Sequence, residues 1–265
     1  MQRKLPNVYG VNMRADKFFA DRYGSRTKAA EAIRQGLILR DQKALSPDDE
    51  VCETDEFTFI APRERFVSNG GYKLSRALDV FRQSVEGLVL CDLGASNGGF
   101  TDCLLQRGAK KVFCVDVGKS QLHETLRNDD RVVVMDETNA RYLTRNHFPV
   151  SIDAVVSDLS FISLRLILPS IFDILSDGGL AFVLFKPQFE CEGKGIGKSG
   201  IVPIGNHKIL LERFYKFACD MKLAPVNIVN APIREKKNIE YIILLQRNGI
   251  PIKIDDFLNK AKYLL

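Results

Sequence analysis

An apolar strand runs directly into a glycine-rich turn at Asp92-Leu93-Gly94-Ala95-Ser96-Asn97-Gly98-Gly99-Phe100. Glycine lets a backbone turn tightly and approach a ligand closely, and the helix predicted after the turn begins with free N–H groups. The spacing differs from Gly-x-Gly-x-x-Gly, and the leading Asp92 would repel a pyrophosphate, which disfavours a dinucleotide site. An acid beside a glycine turn suits a cationic ligand, such as one that carries an amino group and a sulfonium.

The sequence around this turn alternates between helices and apolar strands. Helical spacing runs through Leu74, Ala77, Leu78 and Phe81. Strands are predicted at residues 88–90, 112–115, 132–135, 154–156 and 180–185. Such alternation is typical of an α/β fold in which helices cover both faces of a parallel sheet.

Two further strands are predicted close together near the C-terminus, at residues 226–229 and 241–245, after a helix at about residues 208–221. Residues 230–240 are too short a connection for a helical crossover, so the last strand is expected to be antiparallel. Residues 255–265 are predicted to form a short helix. The fold expected is therefore a Rossmann-like doubly wound sheet whose last strand is antiparallel.

Acidic residues also follow the next two strands. Asp116 ends the second strand, where a carboxylate accepts hydrogen bonds from ribose hydroxyls in doubly wound sheets. Asp136 ends the third strand, where it could accept from an adenine amino group. Because open α/β sheets bind ligands at the carboxyl ends of their strands, Asp92, Asp116 and Asp136 predict one connected site.

Basic residues are concentrated near the N-terminus. Residues 1–45 contain ten Lys or Arg and four Asp or Glu, whereas the remaining 220 residues sum to a net charge of −1. Such asymmetry indicates a segment that faces nucleic acid. Two short helices in residues 13–35, the second at 26–34, and strands at 37–39, 51 and 57–60 predict a small α+β domain in residues 1–60. Residues 61–70 are expected to link it to a second domain, residues 71–265.

Composition and cysteine spacing exclude several classes of protein. A chain that is 45% hydrophobic and 27% charged is typical of globular domains. No apolar run approaches the ~18 residues that span a bilayer, and the N-terminus lacks the apolar core of a signal peptide. We therefore expect a soluble cytoplasmic protein without a membrane partner. The six cysteines form no Cys-x-x-Cys pair or zinc-type spacing, so we expect reduced thiols and no metal.

The turn at residues 92–100 resembles motif I of class I S-adenosylmethionine-dependent methyltransferases. Together with Ser157-Asp158-Leu159-Ser160-Phe161-Ile162-Ser163, it is similar to the TlyA family, and the resemblance covers nearly the whole chain. Members are FtsJ-like rRNA 2′-O-methyltransferases that are also labelled haemolysins. The resemblance implies S-adenosylmethionine as cofactor, rRNA or ribosomal subunits as partners, and a cytidine ribose 2′-oxygen as acceptor. The cofactor-binding residues it implies are Asp92, Gly94, Ala95, Ser96, Gly98, Gly99, Phe100, Asp116, Val117 and Asp136.

FtsJ-like enzymes use a Lys-Asp-Lys-Glu set, and the matching residues here are Lys73, Asp158, Lys186 and Glu240. Asp158 and Lys186 end predicted strands, and Glu240 begins the antiparallel one, so these three are expected at one edge of the sheet. The resemblance implies that Lys186 is the principal base and that the other three position and tune it. The segment after the fourth strand lacks the Pro-Pro pair of base-modifying relatives, which favours ribose oxygen over base nitrogen.

Residues 14–51 resemble the S4 domain of ribosomal protein S4 and of many RNA-modifying enzymes, through residues 14–17, 25–29 and 33–39. Ala15 stands where that family usually has Leu, and residues 39–42 replace its usual Val-Asn-Gly turn. Asn69, in the linker, stands where Arg is common. The resemblance implies phosphate contacts, which position RNA without reading its sequence, from Arg14, Lys17, Arg26, Lys28 and Arg34.

Three alternatives compete with this interpretation. Residues 192–199 approach the Gly-x-x-x-x-Gly-Lys-Ser phosphate loop, but Glu192 occupies the first glycine and no strand directly precedes it, which favours a basic loop beside the substrate. A membrane-active haemolysin would need an amphipathic or spanning segment, and none is evident. A different S4-bearing enzyme, such as a pseudouridine synthase, would leave the turn at residues 92–100 unexplained. The sequence determines neither the target nucleotide nor the oligomeric state.

Overall fold

The computed structural model describes residues 12–34, 36–41, 43–59, 66–193, 197, 200–232 and 237–262. The chain separates into two compact units, Met1–Arg65 and Phe66–Leu265. The first five residues of the second unit, 66–70, fall in the segment that the sequence predicted to be a linker. They belong to the second unit because its first helix begins at Asn69 rather than at Gly71.

The first unit packs three short helices against short strands. Its helices are α1 (Ala15–Phe18), α2 (Ala20–Tyr23) and α3 (Arg26–Arg34). Strand β1 (Met13–Arg14) pairs with β4 (Glu50–Val51), and β2 (Ile38–Arg40) lies between β3 (Lys43–Ala44) and β5 (Phe57–Phe59). A core of apolar side chains holds these elements together: Ala15, Phe19, Ala29, Ile33, Ile38, Leu45 and Val51.

The sequence predicted two helices in residues 13–35, and the structure has three. The predicted first helix is divided at Phe19 into α1 and α2. Helix α2 ends at Tyr23 and is capped by Gly24, whose φ of 76° lies in the left-handed region that glycine tolerates. The second predicted helix, at residues 26–34, is confirmed as α3. Ile60, the predicted end of the last strand, and residues 61–65 of the predicted linker lie outside the described residues.

Seven strands form the sheet of the second unit: β6 (Val89–Leu93), β7 (Lys111–Val115), β8 (Val132–Met135), β9 (Ile152–Ser157), β10 (Leu175–Phe185), β11 (Leu223–Asn230) and β12 (Tyr241–Arg247). Their order is β11-β12-β10-β9-β6-β7-β8. Strand β12 is antiparallel to both of its neighbours, and strands β6 to β10 pair in parallel. The doubly wound sheet and its antiparallel last strand are therefore confirmed.

Helices cover both faces of this sheet. They are α4 (Asn69–Phe81), α5 (Gly99–Gln106), α6 (Glu124–Arg127), α7 (Leu168–Ile174), α8 (Pro187–Glu190), α9 (Ile204–Asp220) and α10 (Ile254–Lys262). Neighbouring strand residues point to opposite faces. Leu90 packs into the apolar cluster that contains α4 and α5, while Cys91 packs into the cluster that contains α7, α9 and α10.

The six cysteines are all free thiols, and four of them are buried: Cys91, Cys103, Cys114 and Cys191. Burial raises the pKa of the Cys91 and Cys114 thiols, so both are inert, protonated core side chains. In the part of the chain that the structure describes, no helix combines the length and the apolar character needed to cross a membrane.

Candidate active site

Four chain segments meet at one edge of the sheet. Parallel strands β6, β9 and β10 all end there, and the antiparallel β12 begins there. The backbone holds the segments in register: the Asp158 amide donates to the Leu93 carbonyl at 3.2 Å, and the Gly94 amide donates to the Val115 carbonyl at 2.9 Å. The glycine-rich turn thus lies directly beside the segment that carries Asp158.

The structure brings the four predicted charged residues together. Lys186 Nζ lies 2.6 Å from Asp158 Oδ1, and Lys73 Nζ lies 3.6 Å from Asp158 Oδ2. Lys73 Nζ also donates to Glu240 Oε2 at 2.7 Å. Helix α4 supplies Lys73, whereas Asp158, Lys186 and Glu240 come from strand termini as the sequence predicted. Asp158 therefore bridges the two lysines, and Glu240 forms a further ion pair with Lys73.

Lys186 is nearly buried, with only 7% of the residue exposed. Its ammonium also donates to Ser160 Oγ at 2.9 Å, so two groups of the segment after β9 hold it. A buried lysine normally requires a partner that offsets the cost of desolvation. Asp158 and Ser160 supply those partners, and all three residues line one cleft.

A cleft of about 240 Å³ opens beside this lysine pair. Gly94 adopts a φ of +83°, and a Cβ atom there would lie 2.8 Å from Leu159 Cδ2. A Cβ atom at Gly99 would lie 2.1 Å from Ser68 Oγ. The two glycines therefore let Leu159 and Ser68 pack directly against the turn, which a residue with a side chain would prevent. The lining residues are Ser68, Gly70, Lys73, Gly94, Ala95, Ser96, Gly99, Phe100, Asp158, Ser160 and Lys186.

Asp92 has a different position from the one its place in the turn suggests. It is fully buried, and its Oδ2 accepts from the Thr101 amide at 3.0 Å and from Thr101 Oγ1 at 2.7 Å. Burial, opposed by these hydrogen bonds, raises the pKa of Asp92 to about 7. Asp92 is not among the residues that line the cleft. Its carboxyl group fastens the start of α5 to the end of β6 and so fixes the shape of the turn.

Asp116 shapes the other side of the turn. Its Oδ2 accepts from the Ser96 amide and its Oδ1 accepts from the Gly118 amide, both at 2.8 Å. The neighbouring Val117 is 70% exposed, although it is a large apolar side chain. The pair presents a carboxylate and an apolar surface at the carboxyl end of β7.

Asp136 and Gly98 lie further along the same edge. Asp136 Oδ2 accepts from the Ser120 amide at 3.0 Å and from the Arg127 guanidinium at 3.2 Å, and both bonds lower its pKa. Gly98 has a φ of +92°, and a Cβ atom there would lie 2.3 Å from Leu126 Cδ1. Gly98 thus serves the packing of α6, and Asp136 is already ion-paired.

Three residues that line the cleft were missing from the site that the sequence predicted. They are Ser68, Gly70 and Ser160. Phe161, which follows Ser160, is 91% exposed and has a φ of 62°. Ser160 and Phe161 belong to the segment 157–163 that carries the family resemblance, which was the signal available for them. Ser68 has no such signal, because a serine before a helix is usually only a cap.

Of the five predicted RNA-contacting residues of the first unit, two pair with a buried acid and the other three lie on the surface. Arg14 and Arg26 both pair with the buried Asp16, at 3.0 and 3.1 Å. The Arg14 and Arg26 guanidiniums hold the pKa of Asp16 down to about 2 against the effect of burial. Lys17 and Lys28 are exposed, and Arg34 lies 3.7 Å from Glu31.

The sequence also predicted a basic loop beside the substrate and the absence of a metal. Most of that glycine-rich loop after Glu192, namely residues 194–196, 198 and 199, lies outside the described residues. Across the residues that are described, no group of three or more His, Cys, Asp or Glu side chains is arranged to hold a metal ion.

Comparison with known proteins places this geometry in a family. The model of the FtsJ-like methyltransferase family matches residues 66–247, which include every residue that lines the cleft. The chain is 46% identical over 181 residues to the 16S/23S rRNA (cytidine-2′-O)-methyltransferase TlyA of Mycobacterium tuberculosis. This match covers 67% of each chain. It is 41% identical over 223 residues to hemolysin A of Brachyspira hyodysenteriae, covering 82% of this chain and 92% of that one.

A solved structure of similar sequence also resembles this chain. A hemolysin-like protein from Streptococcus thermophilus, 36% identical in sequence, superposes with a TM-score of 0.71 and covers 95% of this chain and 96% of its own. On these grounds, the chain belongs to the FtsJ-like methyltransferase family.

Proposed function

We propose that this protein transfers a methyl group from S-adenosylmethionine to the ribose 2′-oxygen of a cytidine in rRNA, either free or within ribosomal subunits, in the cytoplasm. The observation that carries the proposal is the 2.6 Å pair of Lys186 and Asp158 at the cleft formed by the glycine-rich turn. The name of the M. tuberculosis relative supports the choice of rRNA and of a cytidine 2′-oxygen.

The residues at the turn fit S-adenosylmethionine. Gly94 and Gly99 let the turn pack closely against Leu159 and Ser68 and so shape the cleft, and residues 94–96 would hold the amino acid part of the cofactor. Asp116 would accept from the ribose hydroxyls, and Val117 and Asp136 would contact the adenine. When bound, the cofactor supplies an electrophilic methyl group on a sulfonium.

Lys186 is the group proposed to activate the acceptor hydroxyl. A ribose hydroxyl is a very weak acid, so a base must remove its proton as oxygen attacks. Lys186 first releases a proton to solvent, its Nζ then takes the hydroxyl proton as oxygen attacks, and the restored ammonium is stabilised by Asp158 at 2.6 Å and Ser160 at 2.9 Å. Lys73, held by Glu240, keeps the Asp158 carboxylate in place from its other oxygen.

Phe161 is proposed to receive the base of the acceptor nucleotide. Exposing a large aromatic ring to water is unfavourable, and the positive φ of this residue adds strain to that cost. RNA-binding proteins stack unpaired bases on such rings. The ring packs against that of Phe189 with the centroids 5.3 Å apart, and Lys186 Nζ lies 5.8 Å from the Phe189 centroid, so a base stacked on Phe161 would bring its ribose towards Lys186.

The first unit is proposed to be an S4-like domain that binds the rRNA backbone. Lys17 and Lys28 present positive charge on its surface, and Asp16 holds Arg14 and Arg26 in a fork beside them. Such side chains position RNA through phosphates.

Nucleoside mass spectrometry of rRNA tests the proposed function. Cells that lack the protein should lose one or more 2′-O-methylcytidines, which return when wild-type protein is supplied but not when Lys186→Ala is supplied. An unchanged nucleoside profile would contradict the proposal. Methyl transfer from labelled cofactor to purified rRNA provides the same comparison in vitro.

A further inference from the structure

Glu190 is a buried carboxylate that the lysine pair does not use directly. Only 5% of the residue is exposed, although it lies four positions beyond Lys186. Its Oε2 accepts from Ser163 Oγ at 2.6 Å, and its Oε1 accepts from the Leu164 amide at 2.7 Å. Both donors belong to the segment that follows Asp158.

These two bonds join segments that lie beyond the pairing of β9 with β10. The pairing of β9 with β10 ends at Ser157 and Val183. Asp158 and Lys186 both lie past that pairing, although the Asp158 amide still donates to the Leu93 carbonyl and Phe185 still pairs with Tyr241 of β12. The contacts of Lys186 Nζ with Asp158 Oδ1 at 2.6 Å and with Ser160 Oγ at 2.9 Å depend on how these two segments are held against each other.

The cost of burying Glu190 makes these bonds important. Burial raises the pKa of Glu190, and the hydrogen bonds from Ser163 and Leu164 oppose that shift. Arg165 Nε lies 4.0 Å from its Oε2 and offsets part of the charge. An unpaired buried carboxylate would be strongly unfavourable, so the folded state keeps both bonds.

A comparison with Glu192 shows that contact with the 158–163 segment depends on where the carboxylate lies in the chain, and not on acidity alone. It lies two residues further on, it is about half exposed, and its Oε1 contacts Arg165 at 2.6 Å and Arg213 at 3.0 Å. Glu192 has no contact with the 158–163 segment among the bonds of the described residues, whereas Glu190 bonds to Ser163.

We propose that Glu190 is a positioning residue, which sets the distance between Lys186 and Asp158 by tying Ser163 and Leu164 to the segment that carries Lys186. This inference rests on the proposed methyl transfer. It assigns to Glu190 no contact with cofactor or RNA, because its carboxylate faces the protein interior.

The test uses full-length protein and single-turnover as well as steady-state methylation of rRNA. Glu190→Ala is expected to lower kcat by about tenfold to a hundredfold, since misplacing a reacting group by ~1 Å costs up to about that much. Ser163→Ala, which removes one of the two bonds, should lower kcat by less. KM for rRNA and Kd for S-adenosylhomocysteine should not change. Glu190→Gln keeps a carbonyl acceptor for Leu164 and should recover most of the rate.

Glu192→Gln is the matched control and should retain the wild-type kcat. Wild-type kcat in folded Glu190→Ala and in Ser163→Ala would overturn the proposal, and so would losses that appear in KM or Kd instead. Where Glu190→Ala does not fold, Ser163→Ala decides the matter.

Amide hydrogen exchange provides a measurement that needs no activity. Exchange at Leu164 and across residues 157–161 should become faster in Glu190→Ala and stay unchanged in Glu192→Gln. If wild-type protein does not methylate rRNA, the proposed function fails, and this exchange measurement still tests the tie. Unchanged exchange in Glu190→Ala would overturn it.

Discussion

Lys186 Nζ lies 2.6 Å from Asp158 Oδ1, and the two residues come from the ends of neighbouring parallel strands. Removing the amine tests the role proposed for it. Lys186→Ala should lower the methylation rate by about 10²–10⁴-fold, the usual cost of losing a general base. Binding of S-adenosylhomocysteine, measured by calorimetry, should change little. Glu192→Gln, beyond the cleft, should keep the wild-type rate. A variant that binds and methylates normally would remove Lys186 from this role.

A substitution at Gly94 tests whether the glycine-rich turn binds the cofactor. Gly94→Ala would place a Cβ atom 2.8 Å from Leu159 Cδ2 at a φ of +83°, so the turn must shift. S-adenosylhomocysteine affinity should fall at least tenfold, or about 1.4 kcal/mol. Gly178→Ala is a matched control because its φ of +71° brings the same strain, while nothing lies within 4 Å of the added atom. Equal affinity in the two variants would contradict the account.

The raised pKa of Asp92 predicts that the free energy of unfolding depends on pH. Its folded-state pKa of about 7 lies above the ordinary 3.8 of an aspartate, because the carboxyl is buried. The folded protein therefore holds more protons than the unfolded chain between these values. Its free energy of unfolding should fall as pH rises through this window, by up to about 1.4 kcal/mol per pH unit.

Asp92→Asn cannot ionise and should lose this decline. In urea unfolding at pH 5, 6, 7 and 8, the stability of the variant relative to wild type should increase with pH. Parallel pH curves for the two proteins would show that Asp92 does not titrate in this range.

Lys17 and Lys28 test the proposed RNA-binding role of the first unit. Replacing both with Ala should weaken rRNA binding and should flatten its salt dependence by about 0.7–0.9 in slope for each phosphate that is no longer neutralised. Cofactor binding should not change. Lys110→Ala serves as a control because this exposed lysine precedes β7, at the sheet edge opposite the cleft. An unchanged salt slope in the double variant would place RNA binding elsewhere.

Strand termini explain how much of the site could be predicted from the sequence. Asp158, Lys186 and Glu240 were expected together because parallel strands end, and an antiparallel strand begins, at one edge. Lys73 lies on a helix, and no periodicity could place it, so only the family resemblance indicated it. The tie between Glu190 and Ser163 spans 27 residues and depends on how two loops pack.

Other features were hidden for reasons of local chemistry. Strand β10 begins at Leu175, five residues before the predicted start, because Ser176-Asp177-Gly178-Gly179 has the composition of a turn. Asp92 was expected to suit a cationic ligand, and its bonds to Thr101 depend on the angle at which α5 leaves the turn. Arg14 and Arg26 were expected to contact phosphates, and the pairing of both with Asp16 depends on how residues ten apart pack together.

Alkaline digestion of methylated rRNA tests the central claim most directly. Hydrolysis by alkali needs a free 2′-hydroxyl as the nucleophile, so a 2′-O-methylated nucleotide protects the linkage that follows it. After incubation with labelled S-adenosylmethionine and complete digestion, we expect the label in uncleaved dinucleotides for wild-type protein and little label for Lys186→Ala. Label released entirely in mononucleotides would mean that a base is methylated, and it would contradict the roles proposed for Lys73, Asp158, Lys186 and Glu240.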